Sequence, residues 1–166
     1  MTETYVECMV KHVTKPILKV LVYLLWTLCG IVGIFSFLIS NVIGLIIAVG
    51  LGVGAYFLNI NTDIEYEYLY CYIEITVDKV LARSKRKRVD KFDVGKIEIL
   101  APIKSYHLDD FKNRQAKTFD FSSGVESQPD YRYVFYYEGQ KKVILEPSAE
   151  FVKAVYNVAP RKVFTD

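Results

Sequence analysis

Charged side chains disappear between Lys19 and Asp63, leaving 43 consecutive positions, Val20 to Thr62, that are almost wholly apolar. A hydrocarbon core about 30 Å thick needs about 20 such residues per helix, so this interval predicts two membrane crossings. We place them at about 17–39 and 42–58. The Ser40-Asn41 pair and nearby Gly44 suit a tight turn between them. A secretory signal would have a core of about 7–15 apolar residues and a small-residue cleavage site, whereas this run is far longer and has no such pattern.

Upstream, residues 1–16 read as an N-terminal amphipathic or flexible cytoplasmic segment. Tyr5, Val6, Met9, Val10 and Val13 follow an i, i+1, i+4, i+5, i+8 pattern, which predicts one face of a helix lying in the headgroup plane. Beyond Asp63 the period changes to two. In DIEYEYLY, Tyr66, Tyr68 and Tyr70 share one face with Glu65 and Glu67 opposite; in YIEITV, Ile73, Ile75 and Val77 share another. Further strands are predicted at 88–93, 96–100, 116–121, 131–138 and 141–145. YEGQK makes a glycine-containing turn between the last two. Pro147-Ser148-Ala149-Glu150 then opens a helix over about 147–158. Its expected buried stripe is Phe151, Val152, Val155 and Tyr156. Seven strands and a striped terminal helix predict a β-barrel or sandwich plugged at one end, over residues 63–166.

Two membrane helices, seven strands and a C-terminal helix resemble the bacterial PH-like membrane proteins. DIEYEYLY, DKVLARSKRKR and the terminal APRKVF are similar to one such bacterial family of unknown function, over most of the chain. The resemblance implies an α+β membrane protein, a helical hairpin followed by a PH-like domain, and it implies no activity. Relatives have an Asn-Gly turn where this chain reads Tyr72-Ile73, and the position of the first hairpin turn stays open.

Charge then sets the orientation. Lys11, Lys15 and Lys19 precede the first span while the turn between the spans has no basic residue. Both termini are therefore expected in the cytoplasm, with the chain a multi-pass protein of the cell membrane. Net charge is +2, and residues 63–166 hold 18 Lys or Arg against 17 Asp or Glu. That balance argues against nucleic acid as a partner. Yet cations concentrate at one place: Arg83, Lys85, Arg86, Lys87, Arg88 and Lys91. Only four residues, NINT, separate Leu58 from the first strand, so these side chains are candidates for anionic headgroups or a protein partner. The plainer reading is a solvated strand edge that discourages aggregation. Alternation would put Lys85 and Lys87 on one side, Arg86 and Arg88 on the other.

Gly50 and Gly54 make a small-xxx-small face, which fits packing within the hairpin or a homo-oligomeric contact. The glycines of GLGVG lack the strand and spacing of a dinucleotide loop. Cys8, Cys29 and Cys71 outline neither a disulfide framework nor a zinc site. His107 lies near Asp109 and Asp110, and Cys8 near His12, but neither group supplies a ligand set or a nucleophile–base pair. Thr27, Ser36, Ser40 and Asn41 are poor material for ion transport. The expectation is a non-enzymatic interaction module without cofactor, held at the lipid bilayer and binding anionic lipid or a membrane-protein partner. The alternative is an accessory subunit of a transport or cell-envelope complex.

Overall fold

A computed structural model describes residues 5–166, which divide into two compact units. One comprises residues 14–64 with the turn 81–84, and the other the remaining described residues.

The first unit is a helical hairpin, α1 (Pro16–Leu38) and α2 (Val42–Thr62). Pro16 opens α1, where a missing N–H costs nothing. Asn41 caps α2, its side-chain oxygen accepting from the N–H groups of Ile43 and Gly44 at 3.1 and 3.2 Å. The interior seam is built from small groups. Val22 and Ser36 of α1 and Ala48 and Ala55 of α2 are buried, and the Cys29 thiol donates to the Ala48 carbonyl at 3.2 Å. Large apolar side chains such as Ile34, Phe37, Ile46 and Phe57 are exposed. The core helix of a soluble protein would cover such residues; a helix in lipid has no need to. Both helices are long and apolar enough to cross a membrane.

α2 runs four residues further than the predicted 58. Asn61 Nδ2 donates back to the Phe57 carbonyl at 2.9 Å, and the Thr62 hydroxyl to the Asn59 carbonyl at 2.7 Å. These polar residues thus satisfy the last turn's carbonyls and prolong the helix. The Thr14 hydroxyl bonds the Thr62 carbonyl, tying the start of α1 to the end of α2.

The second unit holds eight strands, β1 (Tyr5–His12), β2 (Ile64–Cys71), β3 (Glu74–Leu81), β4 (Lys85–Asp93), β5 (Ile97–Pro102), β6 (Lys117–Asp120), β7 (Tyr133–Tyr137) and β8 (Lys141–Leu145), followed by α3 (Ala149–Val158). The segment predicted as an interfacial helix is therefore a strand. β1 alternates with Val6, Cys8, Val10 and His12 partly covered and pairs beside β2, giving the order β1-β2-β3-β4. The second sheet runs β5-β7-β8-β6, antiparallel except for the parallel β6–β8 pair. The β-domain accordingly draws on both sides of the hairpin rather than on residues 63–166 alone.

One core joins Tyr68, Tyr70, Ile75 and Val77 of the first sheet to Phe135, Val143 and Leu145 of the second, with α3 contributing Phe151, Val152, Ala154 and Val155. Ser148 caps α3 by accepting from the Phe151 N–H at 3.2 Å. Ala154 is buried where Tyr156 was expected; Tyr156 is 45% exposed. A smaller core on the far side of the second sheet gathers Ile99, Ala101, Leu108, Val134 and Tyr136. The first β-hairpin turns at Tyr72-Ile73, where Tyr72 has φ 58°. Ile73, predicted to share a face with Ile75 and Val77, is instead an exposed turn residue.

Candidate functional site

The turn 81–84 that launches the basic run belongs to the helical unit. The Ala82 N–H donates to the Asp63 carbonyl at 2.9 Å, just past the end of α2. Because the Thr14–Thr62 bond brings the two helix ends together, exposed Lys15, Lys19 and Arg83 gather at one end of the hairpin. The opposite end, residues 39–42, carries no charge. The strained backbone of this turn, with Ala82 at φ 46° and Arg83 at φ 54°, marks a position over-determined by its surroundings.

Along β4 the run does not stay a free cationic patch. Arg86 Nη2 bonds Glu67 Oε1 at 2.8 Å, Arg88 Nε bonds Asp78 Oδ1 at 3.4 Å, and Lys91 Nζ meets Glu74 Oε2 at 2.6 Å. Three of the six predicted cations therefore face carboxylates of β2 and β3. Lys85 and Lys87 are exposed and, among the described residues, have no carboxylate partner. The predicted division of the run is physical, and the acidic neighbours are its cause: two arginines are drawn onto the sheet and two lysines are left to solvent.

Sequence reasoning missed the acids. Glu67 is completely buried and Asp78 is 4% exposed. Burial, with the Glu7 carboxyl beside it, pushes the Glu67 carboxyl up to about 7. Glu7 is held below its ordinary value, chiefly by the hydrogen bond with Glu67. Alternation put Glu67 on the face opposite the tyrosines and so gave no sign of its burial; both faces of β2 are covered, with Glu67 and Tyr68 alike fully buried.

The other sequence candidates fall into structural roles. His107 stacks on Phe164 with centroids 3.8 Å apart and lies 3.5 Å from Asp166. Asp109 pairs with Lys112. His12 Nδ1 meets the Ser122 carbonyl at 2.9 Å, bracing β1 rather than joining Cys8 around a metal. Among the described residues no three His, Cys, Asp or Glu side chains are grouped to hold a metal ion. A mainly apolar groove of about 410 Å³ lies along α3, lined by Tyr133, Val152, Lys153, Tyr156 and Thr165.

Gly50 and Gly54 do not pack within the hairpin, for a Cβ added at either meets nothing within 4 Å. The close approach is made by Gly44, where a Cβ would stand 2.0 Å from Ser36 Oγ, and by Gly52, 3.3 Å from Cys29 Sγ.

Residues 2–165 match the family model described as bacterial PH-like domain (DUF6106). No curated protein and no solved structure matches the chain.

Proposed function

We propose that this chain, which belongs to the bacterial PH-like domain family DUF6106, is a non-enzymatic interaction module tethered in the cell membrane, its PH-like domain held at the inner leaflet to engage anionic lipid headgroups. PH-like domains are in general non-catalytic. Supporting the reading is one observation above others: the basic turn is hydrogen-bonded to the end of α2, beside Lys15 and Lys19. A cation close to an anionic leaflet contributes about 1 kcal/mol, decaying over a Debye length of about 8 Å. Lys15 and Lys19 stand at the start of α1 and Arg83 in the turn bonded to Asp63 just past the end of α2; on β4, Arg86 and Arg88 are spent on carboxylates. The lipid-binding set is thus smaller than the sequence run and centred on its first half.

To test this, the full-length chain is reconstituted in nanodiscs of neutral lipid and of lipid containing phosphatidylglycerol. Amide exchange over residues 81–88 should slow on the anionic discs and recover as salt rises. Equal exchange on both discs would remove the lipid reading.

A second reading, an accessory subunit or homo-oligomer, is favoured by the open space at Gly50 and Gly54. Replacing both with leucine should then abolish co-purification of a partner from gently solubilised membranes, and an unchanged set of partners would dismiss it.

A further inference from the structure

Glu67 sits on the first sheet completely buried. Arg86 takes its Oε1 at 2.8 Å, but among the described residues no N–H or O–H reaches its Oε2. The group within hydrogen-bonding reach on the neighbouring strand is the Glu7 carboxyl, whose own Oε2 already accepts the Tyr5 hydroxyl at 3.0 Å. Ionised carboxylates only accept. Two of them face to face leave Oε2 unsatisfied and repel each other; one proton between them removes both costs.

Among the described residues the surrounding charges supply no donor to that oxygen. β1 contributes Tyr5, which is spent on Glu7. β3 contributes Asp78, a third acid, and β4 contributes Arg86 and Arg88, the latter bonded to Asp78. Arg86 reaches one oxygen of Glu67 and Tyr5 one oxygen of Glu7, which leaves Glu67 Oε2 without a donor among the described residues.

We propose that Glu7 and Glu67 share a single proton and that this proton fastens β1 to β2, so that β1 loosens as the pH of the medium rises from acid through neutral. The position gives the latch its consequence. β1 ends at His12 and α1 begins at Pro16, so the strand is the sheet element that directly precedes the first apolar helix.

The direction with pH follows from which state prefers the proton. Glu67 in the fold holds its proton up to about pH 7, well above an ordinary glutamate. Below the ordinary range both the docked and the released strand are protonated there. As pH rises toward 7 the released form gives up its proton first, and the advantage of docking declines; above about 7 it is gone and stays level. Glu7, shifted downward, acts oppositely but only in acid. Between pH 6 and pH 8 the opening equilibrium should therefore change by about tenfold, the linkage value for one proton across those limits.

The experiment uses the full-length chain in nanodiscs, reading amide exchange of residues 5–12 corrected for the intrinsic rate. Protection should fall about tenfold from pH 6 to pH 8 in the native chain and stay level in Glu67→Gln. Infrared difference spectra of the native chain at pH 6 should show the carbonyl stretch of a protonated carboxylic acid, absent in the variant. Should Glu67→Gln not fold, Glu7→Gln serves, since its amide can donate to Oε2 of an ionised Glu67; the pH response should then shrink, although burial still acts on the Glu67 carboxyl. Level protection in the native chain, an unchanged pH response in the variant, or no protonated acid at pH 6 would overturn the proposal.

Discussion

Tyr72 adopts φ 58° in the two-residue turn between β2 and β3, in the left-handed region that costs a side-chain-bearing residue about 1–2 kcal/mol. Asparagine tolerates that region because its short side chain bonds locally. Tyr72→Asn should therefore raise stability by up to about 1 kcal/mol, read as a higher denaturation midpoint in micelles at unchanged slope. A fall in the midpoint would mean that the ring's contacts outweigh the backbone strain. The turn's place was open in the sequence because Tyr72 and Ile73 look like strand residues and only the pairing of the flanking strands decides otherwise. The same limit hid the Glu7–Glu67 pair. Glu67 was legible as lying opposite the tyrosines, but its neighbours are 60 positions upstream and 19 downstream at Arg86, and register alone brings them together.

β1 shows why element type can be unreadable locally. Tyr5, Met9 and Val13 recur every four residues, a spacing that fits both a helical face and one side of a strand. What settles it is β2, reached only across the intervening hairpin, with Val13 N–H donating to the Ser123 carbonyl at 2.8 Å as a further brace. The strongly patterned elements fared better: α1, β8 and α3 lie close to their predicted bounds, and α2 starts where it was placed. Glycines divide by which face of α2 they occupy, a matter of rotation that spacing alone leaves undecided. Gly44→Ala should cost about 1–3 kcal/mol, because the added methyl collides with Ser36 and the helices must part. Gly50→Ala meets open space and should stay within about 0.5 kcal/mol of the native chain. Thermal midpoints in micelles distinguish them, and Ser36→Gly should restore the Gly44→Ala variant. Equal midpoints for the two single variants would place the seam elsewhere.

Connectivity constrains the chain more tightly than composition does. β1 and β2 are neighbours in one sheet, yet the whole hairpin separates them in sequence. Strands paired in one sheet lie on one side of a bilayer, so if the hairpin crosses, it must cross twice. The lysines before α1 predict that this side is the cytoplasm. The prediction has a built-in reporter in Cys71, an exposed thiol at the end of β2. With Cys8 and Cys29 replaced by alanine, a membrane-impermeant maleimide should label Cys71 in inside-out vesicles and leave it untouched in intact cells. A cysteine introduced as Ser40→Cys, in the chain with Cys71→Ser as well, should show the reverse. Labelling of both thiols from the same side would mean that the two apolar helices do not traverse the membrane. The basic turn at the end of α2 would then lose its claim on the headgroups, while the proton between Glu7 and Glu67, which depends only on strand pairing, would stand.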